Sequence, residues 1–430
     1  MLSLADLPAE LLVYVANDVH PGDLVNFALT SKGMHAVSIN ALNDRHEHLK
    51  HHSRFELTTS EDGKYNGVEL LQNCLRWPRY AYYIRDMTVK DCPSSWTNQV
   101  TQEVIEQFKA AISSLDSPTY GPPVQHRAGS MIVFVLLWCL QHLKILHIGD
   151  IDDIESCRLA FLLLNYITYR QHNGILSELE MVSMDSNDRL NSYDAAAHLQ
   201  LFFALPSLKT IVAGRLNHTE RPGFPWYKNS NVCHISLSCN QVRRSEQAWL
   251  STLIAAPRTL EEFAFRWPTG RMFHTDLVIG LLKSHSEHTL KRLTIRRGTL
   301  PSAPLGNLHQ FKALEYLDTD FSLLLDNMDI HQARAQRMLP HSIEHLRLHE
   351  DYDVIPDEIA GALCDLISFK SAAFPKLSKV DAFLDSSLLE DGRECNEDCT
   401  YEIANVIAGE CMTQNIEFNV EHREQPYLQA

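Results

Sequence analysis

The amino-acid sequence predicts an α/β protein: three short helices at the N-terminus, then an irregular solenoid whose alternating strands and helices build a curved parallel sheet. Three observations carry that expectation. The first forty residues place apolar side chains at helical spacing between turn signals. A short apolar motif, Leu-x-x-Leu-x-Leu or a close variant, then recurs along the chain. The segments between its copies carry apolar residues three and four positions apart, the spacing of one helix face.

Asp6-Leu7-Pro8-Ala9-Glu10-Leu11-Leu12 opens a helix, with Pro8 suited to its first position and Glu10 placing negative charge near the positive end of the macrodipole. Leu7, Leu11, Leu12 and Val15 share one stripe. His20-Pro21-Gly22-Asp23 interrupts the chain and starts a second helix carrying Leu24, Phe27 and Ala28. Ser31 is placed to cap a third helix containing Met34, Val37 and Leu42. Three helices of this size cannot enclose a large core, so they need a partner or the rest of the chain.

The run Leu7-Pro8-Ala9-Glu10-Leu11-Leu12, with Pro21-Gly22-Asp23-Leu24 and Leu29-Thr30-Ser31-Lys32 behind it, resembles an F-box. That family docks on the Skp adaptor of cullin-RING ubiquitin ligases. The resemblance covers about a tenth of the chain and departs from the family at Met34, where an aromatic is common. It implies that Leu7, Pro8, Glu10, Leu11, Leu24 and Leu29 form the docking motif, some by touching the adaptor and some by holding the helices together. The alternative is a plain helical cap on a larger domain.

Leu143-x-x-Leu146-x-Ile148 recurs from Leu176, Leu208, Val232, Leu260, Leu290, Leu314, Ile343 and Leu377, with an earlier copy at Ile84-x-x-Met87-x-Val89. From Leu143 on, the spacing runs from 24 residues (Leu290 to Leu314) to 34 (Ile343 to Leu377). About thirty residues fit one strand, one helix and two loops. Helices are expected over Ser156–Tyr169, Ala195–Leu205, Glu246–Ala256, Thr275–His285 and Asp357–Phe369. The pattern resembles leucine-rich repeats of the divergent kind that follow an F-box. Only the Val232 copy places an asparagine, Asn240, at the family's consensus position. An ordinary α/β domain with a parallel sheet is the competing architecture.

The domain organisation follows: residues 1–50 for adaptor docking, 51–140 as linker and first irregular repeats, and 141–430 as the target-binding repeats with an acidic C-terminus. Phe55 to Val68 reads as a loop, and the Pro- and Gly-rich stretch near 116–130 as an exposed insertion.

Composition limits the function classes. The net charge is −16, which disfavours bulk binding to nucleic acid or an anionic membrane. Met131 to Leu140 is strongly apolar, but ten residues are half a membrane span, so a buried helix is expected. Ten cysteines are too dilute for a disulfide scaffold. Asp6 and Pro8 interrupt any early apolar run, so the chain is expected in the cytoplasm or nucleus.

Catalytic signatures are missing: no phosphate-cradling glycine loop and no nucleophile elbow. Arg45-His46-Glu47-His48-Leu49-Lys50-His51-His52 fails the zinc-protease pattern because Lys50 stands where the second histidine would be. No cofactor and no metal is implied. In the repeat motif the fourth and sixth residues point into the core, so the fifth and seventh face solvent. That places His147, Glu180, Val182, Ser236, Ser238, Arg266, Thr294, Arg296, Asp318, Asp320, Arg347, His349, Asp381 and Phe383 on one surface. Arg266, Arg296 and Arg347 share a row able to grip carboxylate or phosphate. Trp267 beside them is a candidate aromatic anchor, and His349 completes the expected target-binding set. The resemblance implies a non-catalytic receptor that docks on the Skp adaptor, reaches cullin and RING subunits through it, and holds a target on the repeats. A scaffold without ligase assembly and an α/β enzyme are the rivals.

Overall fold

The computed structural model describes residues 4, 7–60, 64–90, 128–149, 176–185, 199, 202–214, 228–238, 247–267, 275–297, 305–325, 338–349, 356–384 and 397–422. The chain divides into two compact units, Met1–Leu190 with Ala204–Leu208, and Asn191–Phe203 with Lys209–Ala430.

The first unit opens with three helices, the head: α1 (Ala9–Asp18), α2 (Leu24–Leu29) and α3 (Lys32–His52). Pro8 is the N-cap of α1 rather than its first helical residue, because its carbonyl accepts the first intrahelical bond from Leu12 N at 3.1 Å. Ser31 caps α3 as expected, its hydroxyl accepting from Met34 N at 3.1 Å. Leu12, Ala16, Leu24, Ala28, Met34 and Ala41 are buried and form the head's own small core.

There follow β1 (Arg54–Leu57), α4 (Asn66–Arg76), α5 (Pro78–Tyr83), β2 (Asp86–Val89), α6 (Ala128–Cys139), β3 (Ile145–Ile148) and β4 (Met181–Asp185). Each strand pairs in parallel with the next. The stretch from Phe55 to Val68 is not the expected loop: it begins in β1 and ends in α4. Leu57 in that strand is fully buried. The Asn66 side chain then closes the turn, accepting from Thr58 N at 3.0 Å and donating to Glu56 O at 2.8 Å. Two apolar residues amid charges were too few to signal a strand. The apolar run at Met131–Leu140 lies in α6, which begins at Ala128, inside the stretch expected as an insertion. Residues 116–127 and the expected helix at Ser156–Tyr169 lie outside the described residues, as does most of the one at Ala195–Leu205.

The second unit contains β5 (Thr210–Gly214), β6 (His234–Ser238), α7 (Gln247–Ala255), β7 (Glu262–Trp267), α8 (Thr275–Ser286), β8 (Arg292–Arg297), β9 (Tyr316–Asp320), α9 (Phe321–Leu325), β10 (His345–His349), α10 (Pro356–Ser368), α11 (Lys370–Ala373), β11 (Lys379–Leu384), α12 (Glu397–Thr413) and β12 (Glu417–His422). Neighbouring strands are again parallel. Ile211, Ile235, Phe263, Leu293, Leu317, Leu346, Val380 and Phe418 stand in register across them. Three expected helices appear here as α7, α8 and α10. Part of the acidic C-terminus forms α12 and strand β12, the latter without a motif copy in the sequence reading.

The repeat is written into the backbone as well as the side chains. At most of the strand junctions one carbonyl accepts from two successive amides of the next repeat. Ser53 O takes Arg85 N and Asp86 N; Arg85 O takes Lys144 N and Ile145 N; Glu261 O takes Lys291 N and Arg292 N; Glu344 O takes Ser378 N and Lys379 N, all at 2.7–3.1 Å. The first apolar residue of each motif (Ile84, Leu143, Leu208, Val232, Leu260, Leu290, Leu314, Ile343 and Leu377) is essentially inaccessible to water. Burying each such side chain contributes roughly 2 kcal/mol.

One copy was read out of register. In β4, Val182 pairs with Leu146 and Met184 with Ile148. The motif there is Leu179-x-x-Val182-x-Met184, so Val182 is a buried core residue and not a surface one. Leu176 is buried too, on a turn at φ 52°, which is why it imitated the motif. Among the described residues no helix is long and apolar enough to cross a membrane.

Candidate docking surfaces

The head divides its apolar residues cleanly. Leu24, one of the expected docking residues, is buried between the helices, and Leu7 is half-buried. Pro8 and Glu10 are exposed at the start of α1. Leu11 is 48% exposed and Leu29 73%. The sequence reading missed Tyr14 (73% exposed), Val25 and Ile39, which are also left in water. Leu11 and Tyr14 lie one turn apart on α1, and Val25 and Leu29 one turn apart on α2, so each pair shares a helix face. The signal was available in the sequence: both pairs sit off the stripes that hold Leu12, Ala16, Leu24 and Ala28.

On the second unit, the outward face of β6–β12 carries the rows expected to bind a target. Arg266 and Arg296 stand in register, but Arg347 does not share their row: it pairs with Asp318, which pairs with Thr294, because Arg347 is the fifth residue of its motif and the other two are the seventh. The rows also differ from end to end. Arg266 is exposed. Trp267 is 7% exposed and sits on the opposite face, its ring 5.7 Å from that of Phe265. Successive strand residues alternate sides, so Trp267 belongs to the core and cannot flank Arg266 as an anchor. Arg296 Nε lies 3.6 Å from Asp320 Oδ1.

Further along, Arg347 is stacked over Phe383 at 4.2 Å. His349 packs on the same ring at 4.4 Å and stands 2.9 Å from Asp318 Oδ1. His345 Nε2 lies 2.6 Å from Asp381 Oδ2, and Asn419 donates to the other Asp381 oxygen at 3.0 Å. Asp318, Asp320, His349 and Asp381 are therefore buried, contrary to the expectation that they face solvent. Alternation put them on the right side of the sheet; pairing among themselves took them out of water.

The electrostatics follow from that burial. Burial lowers the His349 pKa below its ordinary value, with Arg296 and Arg347 acting in the same direction and Asp318 against them. Burial alone would raise Asp381, but hydrogen bonds from Asn419, His345 and Lys379 hold it below the usual carboxylate value. No group of three or more histidines, cysteines or carboxylates gathers as metal ligands among the described residues. The thiols of Cys74 and Cys411 are pushed up to about 12 by burial, which leaves them protonated at neutral pH.

The chain matches no protein-family model, and no curated protein matches it. The site geometry, and the resemblances read from the residues themselves, are what a functional reading rests on.

Proposed function

We propose that this chain is a non-catalytic receptor whose head docks, as an F-box does, on the Skp adaptor and through it on cullin and RING subunits. The leucine-rich-repeat-like sheet would hold a target protein close to the ubiquitin-carrying subunit, in the cytoplasm or nucleus. Its contribution is proximity, which raises the effective concentration of the target's lysines. The observation that carries this reading is the head's split between a sealed core and residues left in water. Leu11, Tyr14, Val25 and Leu29 are exposed on helices that already have a core of their own, and such residues commonly mark an interaction site.

The test is co-purification of the full chain with the Skp adaptor, comparing wild type with a Leu11→Asp, Leu29→Asp double variant. Selective loss of adaptor from a folded variant supports the reading. A folded wild-type chain that binds no adaptor overturns it, and adaptor binding without cullin reduces the protein to a scaffold.

A further inference from the structure

The outward face of the second unit has a closed half and an open half, and the open half carries an unspent positive charge. On β9 to β11 the carboxylates are buried and matched: Asp318 by His349, and Asp381 by His345, Lys379 and, from β12, Asn419. On β6 to β8 the same rows hold Ser236, Ser238, Ala264, Arg266, Thr294 and Arg296. Ser238 stands in register with Arg266, and Arg266 with Arg296. Like charges directly opposite on neighbouring strands repel. Arg296 is relieved by Asp320 at 3.6 Å, and Arg292 by Glu262 at 3.8 Å. Arg266 is exposed and has no ion pair or hydrogen bond among the described residues. The hydroxyls of Ser236, Ser238 and Thr294, all half-exposed, have none there either.

We infer that this patch of β6–β8 binds an acidic peptide segment of the target, with an Asp or Glu carboxylate seated on the Arg266 guanidinium and the flanking hydroxyls donating to it. The charge count selects the ligand. Arg266 supplies one unmatched positive charge, which a carboxylate neutralises. A phosphate dianion would need Arg296 as well and would lie against the Asp320 carboxylate that already holds it. Ala264, between Ser236 and Thr294 in register, puts the smallest side chain at the middle of that row. Arg347 and His349, committed to Phe383 and Asp318, take no part. The inference rests on the receptor reading of the sheet and does not depend on what the head binds.

The experiment uses the full chain and three fluorescein-labelled peptides of equal length, carrying glutamates, phosphoserines or glutamines, followed by anisotropy at low salt. The glutamate peptide is expected to bind best. Arg266→Gln, an exposed change that leaves folding intact, should weaken it about tenfold or more, the effect of losing one charge-assisted hydrogen bond. Arg266→Lys should recover part of that loss, and Arg258→Gln, at an exposed arginine outside the strands, should change nothing. No binding of the glutamate peptide, equal binding by Arg266→Gln, or preference for the phosphoserine peptide overturns the inference. Adaptor co-purification of the same variants separates the two proposals: peptide binding without adaptor removes only the ligase role, and adaptor retention without peptide binding removes only this site.

Discussion

Arg45 Nη2 donates a hydrogen bond to the Tyr82 hydroxyl at 3.0 Å, tying the third helix of the head to the short helix that leads into β2. Tyr82 is the hub of a larger joint. Its ring meets His20 edge-on at 5.2 Å and His142 at 4.7 Å, and Arg85 lies over it at 4.5 Å. Gly22 is held against it so closely that a Cβ there would sit 3.2 Å from the ring. Arg79 grips the end of α1 through Asn17 O at 2.8 Å and the Asp18 carboxylate at 2.9 Å. The head is therefore fastened to the start of the sheet by side chains, as well as by the chain. Tyr82→Phe should cost about 1 kcal/mol, the worth of one hydrogen bond. Tyr82→Ala should cost at least about 3 kcal/mol and expose the α3–β1 connection to protease. Denaturant titration with limited proteolysis decides it; equal losses from both substitutions would mean that the ring does not anchor the head.

Two leucines of the expected docking motif should part company on substitution. Leu24 is 3% exposed, so Leu24→Ala should cost about 2–3 kcal/mol by opening a cavity in the head. Leu29 is almost wholly in water, so Leu29→Ala should stay within about 0.5 kcal/mol of wild type and weaken adaptor binding instead. Thermal melting read beside adaptor binding separates the two. A destabilised Leu29→Ala would show that the residue belongs to the core after all.

The same contrast explains what the sequence made legible. Period-2 alternation around a repeated leucine was enough to place Phe263, Phe265, Leu293 and Ile295 inside, because burial there depends on side and spacing alone. It could not place Val182, because Leu176, buried on its turn three residues before Leu179, offers a second register that the pattern cannot reject. It could not show Asp318 or His349 as buried. Their removal from water comes from pairing across strands, between residues about thirty positions apart in sequence. Trp267 was misplaced for a simpler reason: being next to Arg266 in sequence puts it on the other face of the strand. The joint around Tyr82 was invisible, since it joins positions from His20 to Glu178 that no local pattern links.

Stability should fall as the solution is acidified through the histidine range. His349 faces Asp318, Arg296, Arg347 and Phe383, and its folded pKa is lowered from 6.5. His52 and His285 shift the same way, again chiefly through burial. The unfolded chain takes up these protons first, so the stability they contribute is complete above about pH 6.5 and is lost as the pH falls toward their folded values. One such histidine accounts for at most about 1.4 kcal/mol per pH unit. Denaturant titrations between about pH 7.5 and about pH 5.5 should show the decline in wild type and a shallower one in His349→Gln. Identical slopes would mean that His349 takes its proton as readily folded as unfolded.

Thr319 offers a test of the repeat from the opposite direction, by improving it. It fills the sixth motif position on β9, in register with Ile295 and Leu348, and its side chain is fully buried. Its hydroxyl has no hydrogen-bond partner among the described residues. A buried donor left unmatched costs about 1–3 kcal/mol, whereas an apolar group of the same shape leaves nothing unsatisfied. Thr319→Val keeps the branched shape that suits a strand and removes the hydroxyl, so it should stabilise the second unit by about 1 kcal/mol, or about 2–4 °C in Tm. Arg266→Val, on the exposed side of the neighbouring pattern, should bring no such gain. A Thr319→Val chain that melts lower than wild type would place a polar partner beside that hydroxyl and make the position something other than a repeat core site.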